Sequence, residues 1–238
     1  VRYFSAWLES SSEDSVRLSH NDLEESVSEV SGASSNTSSL SVCRGDALYI
    51  QMGLCGEGRT LAQFIKGADG GGVLGEVERG ILDQVLCGVQ HMHANGFEHL
   101  DITPRNVFQG PNGTWQIGDF SFSKRLGTAG GSELGTHLYA APEVSVPDKQ
   151  YVPPLLSGAA DVYSLGILMA EMCLTLNTAM ERVATLEGIR RHATVPEEIH
   201  KKSPLLAQLL DRMTSHVPSA RPSISQVICD LDKCQSRP

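Results

Sequence analysis

Three polar residues, each beside a short apolar run, have the types and the spacing to do chemistry. Asp101 and Asn106 lie five residues apart in the segment HLDITPRN, and Asp119 comes two residues after the strand-like run WQI. The sequence GPNG at 110–113 separates two strand-like runs and is typical of a β-hairpin turn. Folding of this hairpin would place Asn106, before its first strand, next to Asp119, after its second.

These residue types suit a magnesium site with a base beside it. Mg²⁺ is a hard cation that prefers oxygen ligands, and the Asn106 amide and the Asp119 carboxylate both supply oxygen. Asp101 is close enough to Asn106 in sequence to act on a hydroxyl group beside such a metal. We therefore expect Asn106 and Asp119 to bind Mg²⁺ and Asp101 to accept or orient a hydroxyl proton.

The order and spacing of these residues resemble the catalytic motifs of protein kinases, which are H-R-D-x-x-x-x-N, D-F-G and A-P-E. The chain carries them as His99-Leu100-Asp101 with Asn106, Asp119-Phe120-Ser121 and Ala141-Pro142-Glu143. The resemblance implies an α+β, protein-kinase-like fold, mostly the helical large lobe with two remaining small-lobe strands. It also implies ATP and Mg²⁺ as cofactors and transfer of the γ-phosphate of ATP to a protein serine or threonine.

The resemblance extends beyond these three motifs. The segment GTHLYAAPE at 135–143 is similar to the substrate-docking segment of serine/threonine kinases, in which Thr136 would hydrogen-bond near the catalytic aspartate. Glu143 would form a buried ion pair with Arg221. Asp161 would brace the catalytic loop.

A second set of residues is implied for the nucleotide. Met52 resembles the gatekeeper residue of kinases. The backbone groups of Gly53 and Cys55 would then contact the adenine edge, and Phe108 would cover the adenine face. The resemblance therefore implies an ATP site formed by these residues together with Asp119.

Three positions depart from the usual kinase pattern. Leu100 replaces the arginine that in kinases usually receives the activation-loop phosphate, and Ser121 replaces the glycine of D-F-G. Thr103 stands where serine/threonine kinases carry a lysine that contacts the transferred phosphate. Arg105 stands two positions later, where tyrosine kinases place an arginine with that task, and we expect it to compensate.

The elements that position these residues can be predicted from periodicity. Apolar residues at spacings of three and four predict a helix from Glu76 to Asn95. The run 159–174 is apolar almost throughout and predicts a buried helix. Strands are expected at 1–8 and 47–52. Further helices, one short and three amphipathic, are expected at 61–66, 180–192, 204–214 and 223–232.

Composition excludes several classes of protein. The formal net charge of −9 gives no basic footprint for nucleic acid, so we expect no nucleic-acid contact. No apolar run approaches the roughly 18 residues of a membrane-spanning helix, and we expect no membrane contact from this segment. The six cysteines form no C-x-x-C pair, which indicates free thiols in a reducing, cytoplasmic compartment.

A serine-rich insert divides the first strands. Of the 33 residues from Glu9 to Ser41, 13 are Ser and seven are acidic, so we expect a disordered insert over 9–46. Residues 1–54 would then be the remnant of the small lobe and residues 55–238 the large lobe. The chain begins with Val1, and no glycine-rich nucleotide loop or V-A-I-K lysine precedes its first strand. We expect a fragment that is inactive alone, derived from an active parent protein.

The sequence VRYFSAW, an acidic insert and LYIQMGLC resemble the kinases of the translation initiation factor 2 alpha subunit, as does MERV at 180–183. This resemblance implies a stress-response kinase that phosphorylates that subunit and slows translation. It also implies a homodimer, through the missing small lobe, and autophosphorylation. The candidate autophosphorylation sites are Thr128, Ser132 and Thr136.

Other functions stay open on the sequence alone. The changes at Leu100, Thr103 and Ser121 favour a pseudokinase, a binding or scaffolding module that keeps the fold. A kinase with another protein substrate is a further alternative. A small-molecule phosphotransferase is disfavoured by the docking segment and by Arg221.

Overall fold

The structure, a computed structural model, describes residues 3–10, 46–52, 59–66, 74–127, 138–145 and 158–235. The chain divides into two units, Val1–Gly53 and Leu54–Pro238. The assignment of residues 1–54 and 55–238 to the two lobes of a kinase stays a prediction.

The first unit contains two antiparallel strands, β1 (Tyr3–Ser10) and β2 (Asp46–Met52). The strands confirm the predicted pair, but the expected ends of the insert are wrong, because Ser10 pairs with Asp46 inside the ladder. Backbone hydrogen bonds between strands do not require apolar side chains, so polar residues can extend the pairing. The rest of the predicted insert, 11–45, lies outside the described residues.

The second unit is mostly helical. Its described helices are α1 (Leu61–Lys66), α2 (Glu76–Ala94), α3 (Pro142–Ser145), α4 (Ala159–Cys173), α5 (Ala179–His192), α6 (Glu197–Lys202), α7 (Pro204–Met213) and α8 (Ile224–Gln235), with a 3-10 turn at Pro218–Ala220. All the predicted helices are confirmed to within a few residues at their ends.

Helix α4 forms the centre of the core. All its residues are buried, and it contacts α2, α5 and α7. A helix that is apolar almost all round cannot face water on any side, so its position follows from its sequence. Leu165, Leu168 and Met169 are completely buried.

Helix α2 packs one apolar stripe against the core. Ile81, Leu82, Val85 and Val89 are buried at spacings of one, three and four, as the periodicity predicts. Gly96 follows the helix with a φ of 80°, a left-handed conformation that glycine adopts at low cost. The chain then enters the loop that carries the candidate site.

Two short antiparallel ladders complete the unit. Strand β3 (Phe97–Glu98) pairs with β6 (Lys124–Arg125), and β4 (Val107–Gln109) pairs with β5 (Trp115–Ile117). The β4–β5 hairpin was expected from the sequence and is confirmed, with Val107 opposite Ile117. Its turn is closed by the Gly110 N–H, which donates to the Thr114 carbonyl over 2.7 Å.

The α+β fold class is confirmed by these mostly helical elements with a few short antiparallel strands. Helix α6 and the ladder of β3 with β6 were not predicted. Both are short, and neither EEIHKK nor the pairs FE and KR show an apolar period. Within the described part of the chain, no helix combines the length and the hydropathy needed to cross a membrane.

Candidate active site

The open end of the β4–β5 hairpin brings the predicted site segments together. The Gly118 N–H donates to the Asn106 backbone carbonyl over 2.9 Å. The pair of buried residues Val107 and Ile117 holds the two strands in register just inside this contact. Asp119 therefore leaves the hairpin from the end at which Asn106 enters it, as expected from the position of the turn.

Asp101 and Asn106 are joined directly. Nδ2 of Asn106 donates to Oδ2 of Asp101 over 2.7 Å and to the Asp101 backbone carbonyl over 2.9 Å. Both acceptors are oxygens, which fixes the orientation of the amide, because only its nitrogen can donate. The Asn106 Oδ1 is then the atom left for a metal. The Asp101 carboxylate is half-buried and held at one oxygen.

Asp119 is exposed and has a left-handed backbone, with φ of 60°. Aspartate tolerates this region better than most residues. Its Oδ1 accepts hydrogen bonds from the Ser121 hydroxyl and, over 3.4 Å, from the Ser121 N–H. Ser121, which replaces the expected glycine, therefore holds the carboxylate.

The backbone at His99 and Leu100 is anchored to helix α4. The His99 N–H donates to Oδ2 of Asp161 and the Leu100 N–H to Oδ1, each over 2.8 Å. Leu100 is buried and has a φ of 67°, which is unfavourable for a bulky residue. The two hydrogen bonds to Asp161 hold this conformation. The prediction that Asp161 braces the loop is confirmed.

Two histidines support the same loop from different sides. Nε2 of His93, on α2, lies 2.8 Å from Oδ2 of Asp161. Nε2 of His99 is 3.1 Å from the Gly118 carbonyl, and its ring lies 5.2 Å from that of Phe120. His93 was interpreted from the sequence as an ordinary helix residue. The missed signal was Asp161, because a charge inside an apolar helix requires a partner.

Glu98 is an unusual buried acid just before this loop, with 8% of its surface exposed. It lies opposite Lys124 in the ladder of β3 with β6. Burial, and then the negative charge of Asp161, raise the pKa of Glu98 above its ordinary value. The loop is therefore preceded by a carboxyl group that resists ionisation.

The remaining predicted site residues are not all described. Arg105 is exposed in the loop. Phe108 is half-buried in β4, where its backbone forms an isolated antiparallel β-bridge with Thr60. Met52 is the last residue of β2. Gly53, Cys55, Thr136 and the other candidate phosphorylation sites, Thr128 and Ser132, lie outside the described residues.

The predicted ion pair between Glu143 and Arg221 is confirmed. Nη1 and Nη2 of Arg221 donate to the two carboxylate oxygens of Glu143 over 2.5 and 2.8 Å. Arg221 also donates to the carbonyls of Ala159 and Ser215. The Ala-Pro-Glu segment is thereby fixed to the start of α4 and to the turn that precedes α8.

Comparison of the sequence with models of known protein families identifies the class to which this fold and site belong. The protein kinase domain family model matches residues 28–231, which is more than half of the chain. The chain belongs to the protein kinase domain family.

Its similar relatives include kinases of translation initiation factor 2. Eukaryotic translation initiation factor 2-alpha kinase 1 of Mus musculus is 30% identical over 205 residues, which cover 76% of this chain and 32% of the relative. The eIF-2-alpha kinase GCN2 of Arabidopsis thaliana is 30% identical over 199 residues, which cover 76% and 15%. The interferon-induced, double-stranded RNA-activated protein kinase of Mus musculus is 28% identical over 187 residues, which cover 77% and 34%. The chain spans about a third or less of these curated relatives.

Proposed function

We propose that the chain carries the phosphate-transfer site of a serine/threonine protein kinase that uses ATP. The observation that carries the proposal is the hydrogen-bonded pair of Asp101 and Asn106 at the open end of the hairpin, where Asp119 emerges. Phosphate transfer requires mainly positioning and charge stabilisation from the protein. A carboxylate held in place at Asp101, beside the metal-ligand oxygens of Asn106 and Asp119, would supply both.

Asp101 would act on the hydroxyl group of the protein substrate. One of its oxygens is held by the Asn106 amide, and the other, Oδ1, has no hydrogen-bond partner within the described residues. That oxygen would orient the serine or threonine hydroxyl and accept its proton as the new O–P bond forms. The bond from the γ-phosphorus to the β–γ bridging oxygen would break at the same time, and ADP would leave. Such assistance contributes roughly 10²- to 10⁴-fold in rate.

Asn106 and Asp119 fit a magnesium ion by the chemistry of their donor atoms. The Asn106 amide directs its nitrogen to Asp101, which leaves its oxygen, and Asp119 offers an exposed carboxylate. Bound Mg²⁺ would neutralise charge on the nucleotide phosphates. Arg105, exposed in the same loop, would supply the positive charge that Thr103 lacks.

The protein substrate that we propose is the alpha subunit of translation initiation factor 2. The support is the similarity to two kinases named for that subunit, at 30% identity over three-quarters of the chain. The activity of the whole protein, its cytoplasmic location and its role in stress are parts of this proposal.

One observation favours a second candidate, a pseudokinase that binds partners without transferring phosphate. The Ser121 hydroxyl donates to Oδ1 of Asp119 and so fixes the orientation of this carboxylate. An orientation that turns the carboxylate away from the metal in the complex with Mg-ATP would weaken metal binding. The two candidates differ in whether the protein turns over ATP.

A phosphorylation assay on the full-length protein separates the candidates. It uses Mg-ATP and the purified alpha subunit, with Asp119→Ala as the inactivating variant and Glu187→Ala, an exposed acid on α5, as the matched control. We expect transfer to the subunit that falls at least about 100-fold in Asp119→Ala and is unchanged in Glu187→Ala.

The opposite results are informative. Equal activity of Asp119→Ala and the wild-type protein would contradict the assigned site. No transfer to the subunit, together with no thermal shift on addition of Mg-ATP, would support the pseudokinase. Transfer of phosphate only to other proteins would support the proposed kinase activity and exclude the proposed substrate.

A further inference from the structure

A closed ring of hydrogen bonds joins helix α5 to the segment 138–145. The Tyr139 hydroxyl donates to Oε2 of Glu171, on α4. Arg182, on α5, donates from Nε to Oε1 of the same carboxylate and from Nη2 to the Tyr139 hydroxyl oxygen. Each of the three side chains thus contacts both of the others.

Tyr139 and Glu171 are buried, Arg182 is partly exposed at 35% of its side chain, and the charges of the ring balance. Glu171 is 2% exposed, and a carboxylate at that depth is costly without a cation. Arg182 supplies the cation, and its guanidinium also lies 5.7 Å from the centroid of the Tyr139 ring. Burial, and then the charge of Glu171, raise the pKa of Tyr139 well above its usual range, so the phenol remains a hydrogen-bond donor.

The other anchors of this segment come from different elements. Oγ of Ser164, on α4, donates to the Tyr139 carbonyl over 2.9 Å. Glu143, four residues further along, is held by Arg221. Arg182 is therefore a contact through which α5 holds the segment. Tyr139 follows Thr136, the predicted neighbour of the catalytic aspartate, by three residues in the sequence.

We propose that Arg182 is a positioning residue for phosphate transfer, which fixes the docking segment through Glu171 and the Tyr139 hydroxyl. The proposal rests on the proposed function, because the docking role of residues 138–143, the described part of the segment 135–143, is carried over from the resemblance to kinases. Arg182 acts through Tyr139 and need not contact the substrate. Its loss would leave the metal ligands and Asp101 in place while the docking segment moves.

Three variants isolate the ring. Tyr139→Phe removes only the hydroxyl. Arg182→Met removes the cation and leaves Glu171 buried without it. The double variant Glu171→Gln with Arg182→Met removes both charges, so no unpaired charge is buried in the core. It replaces the single variant if Arg182→Met alone fails to fold. Arg191→Met, at an exposed position of the same helix, is the matched control.

Steady-state kinetics on the full-length protein test the positioning role. With the alpha subunit of initiation factor 2 as substrate, we expect the ring variants to lower kcat/KM for the protein about 10- to 100-fold and to leave the KM for ATP within about twofold. Combining Tyr139→Phe with Arg182→Met should add little, because both act through one contact. Unchanged kcat/KM for the protein substrate, a rise in the KM for ATP as large as the loss of that kcat/KM, or fully additive effects would overturn the proposal.

Amide hydrogen exchange supplies a readout that needs no substrate. In Arg182→Met and in the double variant, the backbone N–H groups of residues 139–141, 143 and 144 should exchange at least about tenfold faster, while those of α7 keep their protection. Unchanged exchange at 139–144 would overturn the inference whatever the activity. A wild-type protein that transfers no phosphate would overturn the proposed function, and with it the positioning role of Arg182 in phosphate transfer.

Discussion

Replacing Arg221 by alanine should destabilise the protein by about 3–5 kcal/mol, which is the usual cost of breaking a buried ion pair. The Arg221 side chain is 0% exposed, and that of Glu143 is 13% exposed. The substitution strands the Glu143 carboxylate and also removes the donors to the carbonyls of Ala159 and Ser215. For a chain of this length, the melting temperature should fall by roughly 6–20 °C.

Urea unfolding followed by circular dichroism measures this loss. Arg212→Ala is the matched control, because it breaks an exposed pair with Asp230 that should contribute only about 0.2–1 kcal/mol. The double variant Glu143→Gln with Arg221→Met should recover much of the loss, since no buried charge remains. A loss for Arg221→Ala no larger than that for Arg212→Ala would refute the reasoning.

Three further predictions concern residues around the site. Glu98→Gln should flatten the pH dependence of stability. Burial, and then the charge of Asp161, raise the pKa of Glu98 in the folded protein above the ordinary value of 4.5. As the pH rises above about 4.5, the carboxyl group ionises first in the unfolded chain, so the stability that Glu98 contributes to the wild-type protein falls. Denaturant unfolding across the acidic range measures this, and equal slopes in both proteins would contradict it. Gly158→Ala should cost more than about 1 kcal/mol, because φ is 56° and an added Cβ would lie only 2.3 Å from Cε1 of His93; an unchanged melting temperature would argue against the clash. Asn106→Ala should reduce phosphate transfer at least about 100-fold while near-UV circular dichroism stays native, and full activity would show that the amide is dispensable.

The helices and the hairpin could be predicted because their signals are local. The apolar residues of α2 recur every three or four positions, and α4 is apolar almost throughout. Each helix can therefore be predicted from the residues of its own segment. The spacing from Asp101 to Asn106 and the turn at 110–113 likewise locate the candidate site without tertiary information.

The contacts that support the site could not be predicted in the same way. Tyr139, Glu171 and Arg182 are separated by 32 and 11 residues, and no local pattern connects them. The left-handed backbone of Leu100 is also hidden, because leucine gives no signal for it and Asp161, far along the chain, holds it. Such features depend on which helices meet, and that is decided by packing.

The hairpin turn at 110–113 is a place where residues can be added without changing the geometry of the site. Pro111, Asn112 and Gly113 are exposed at the end of the hairpin opposite Asn106, whereas the pairing of Val107 with Ile117 sets the register. Lengthening a loop costs little, about 0.6 kcal/mol for each doubling, but a one-residue slip would turn Ile117 out of the core. A peptide tag or fluorophore inserted at Asn112 should therefore be tolerated. We expect related sequences to differ in the number of residues across this turn and to keep the interval between Asp101 and Asn106.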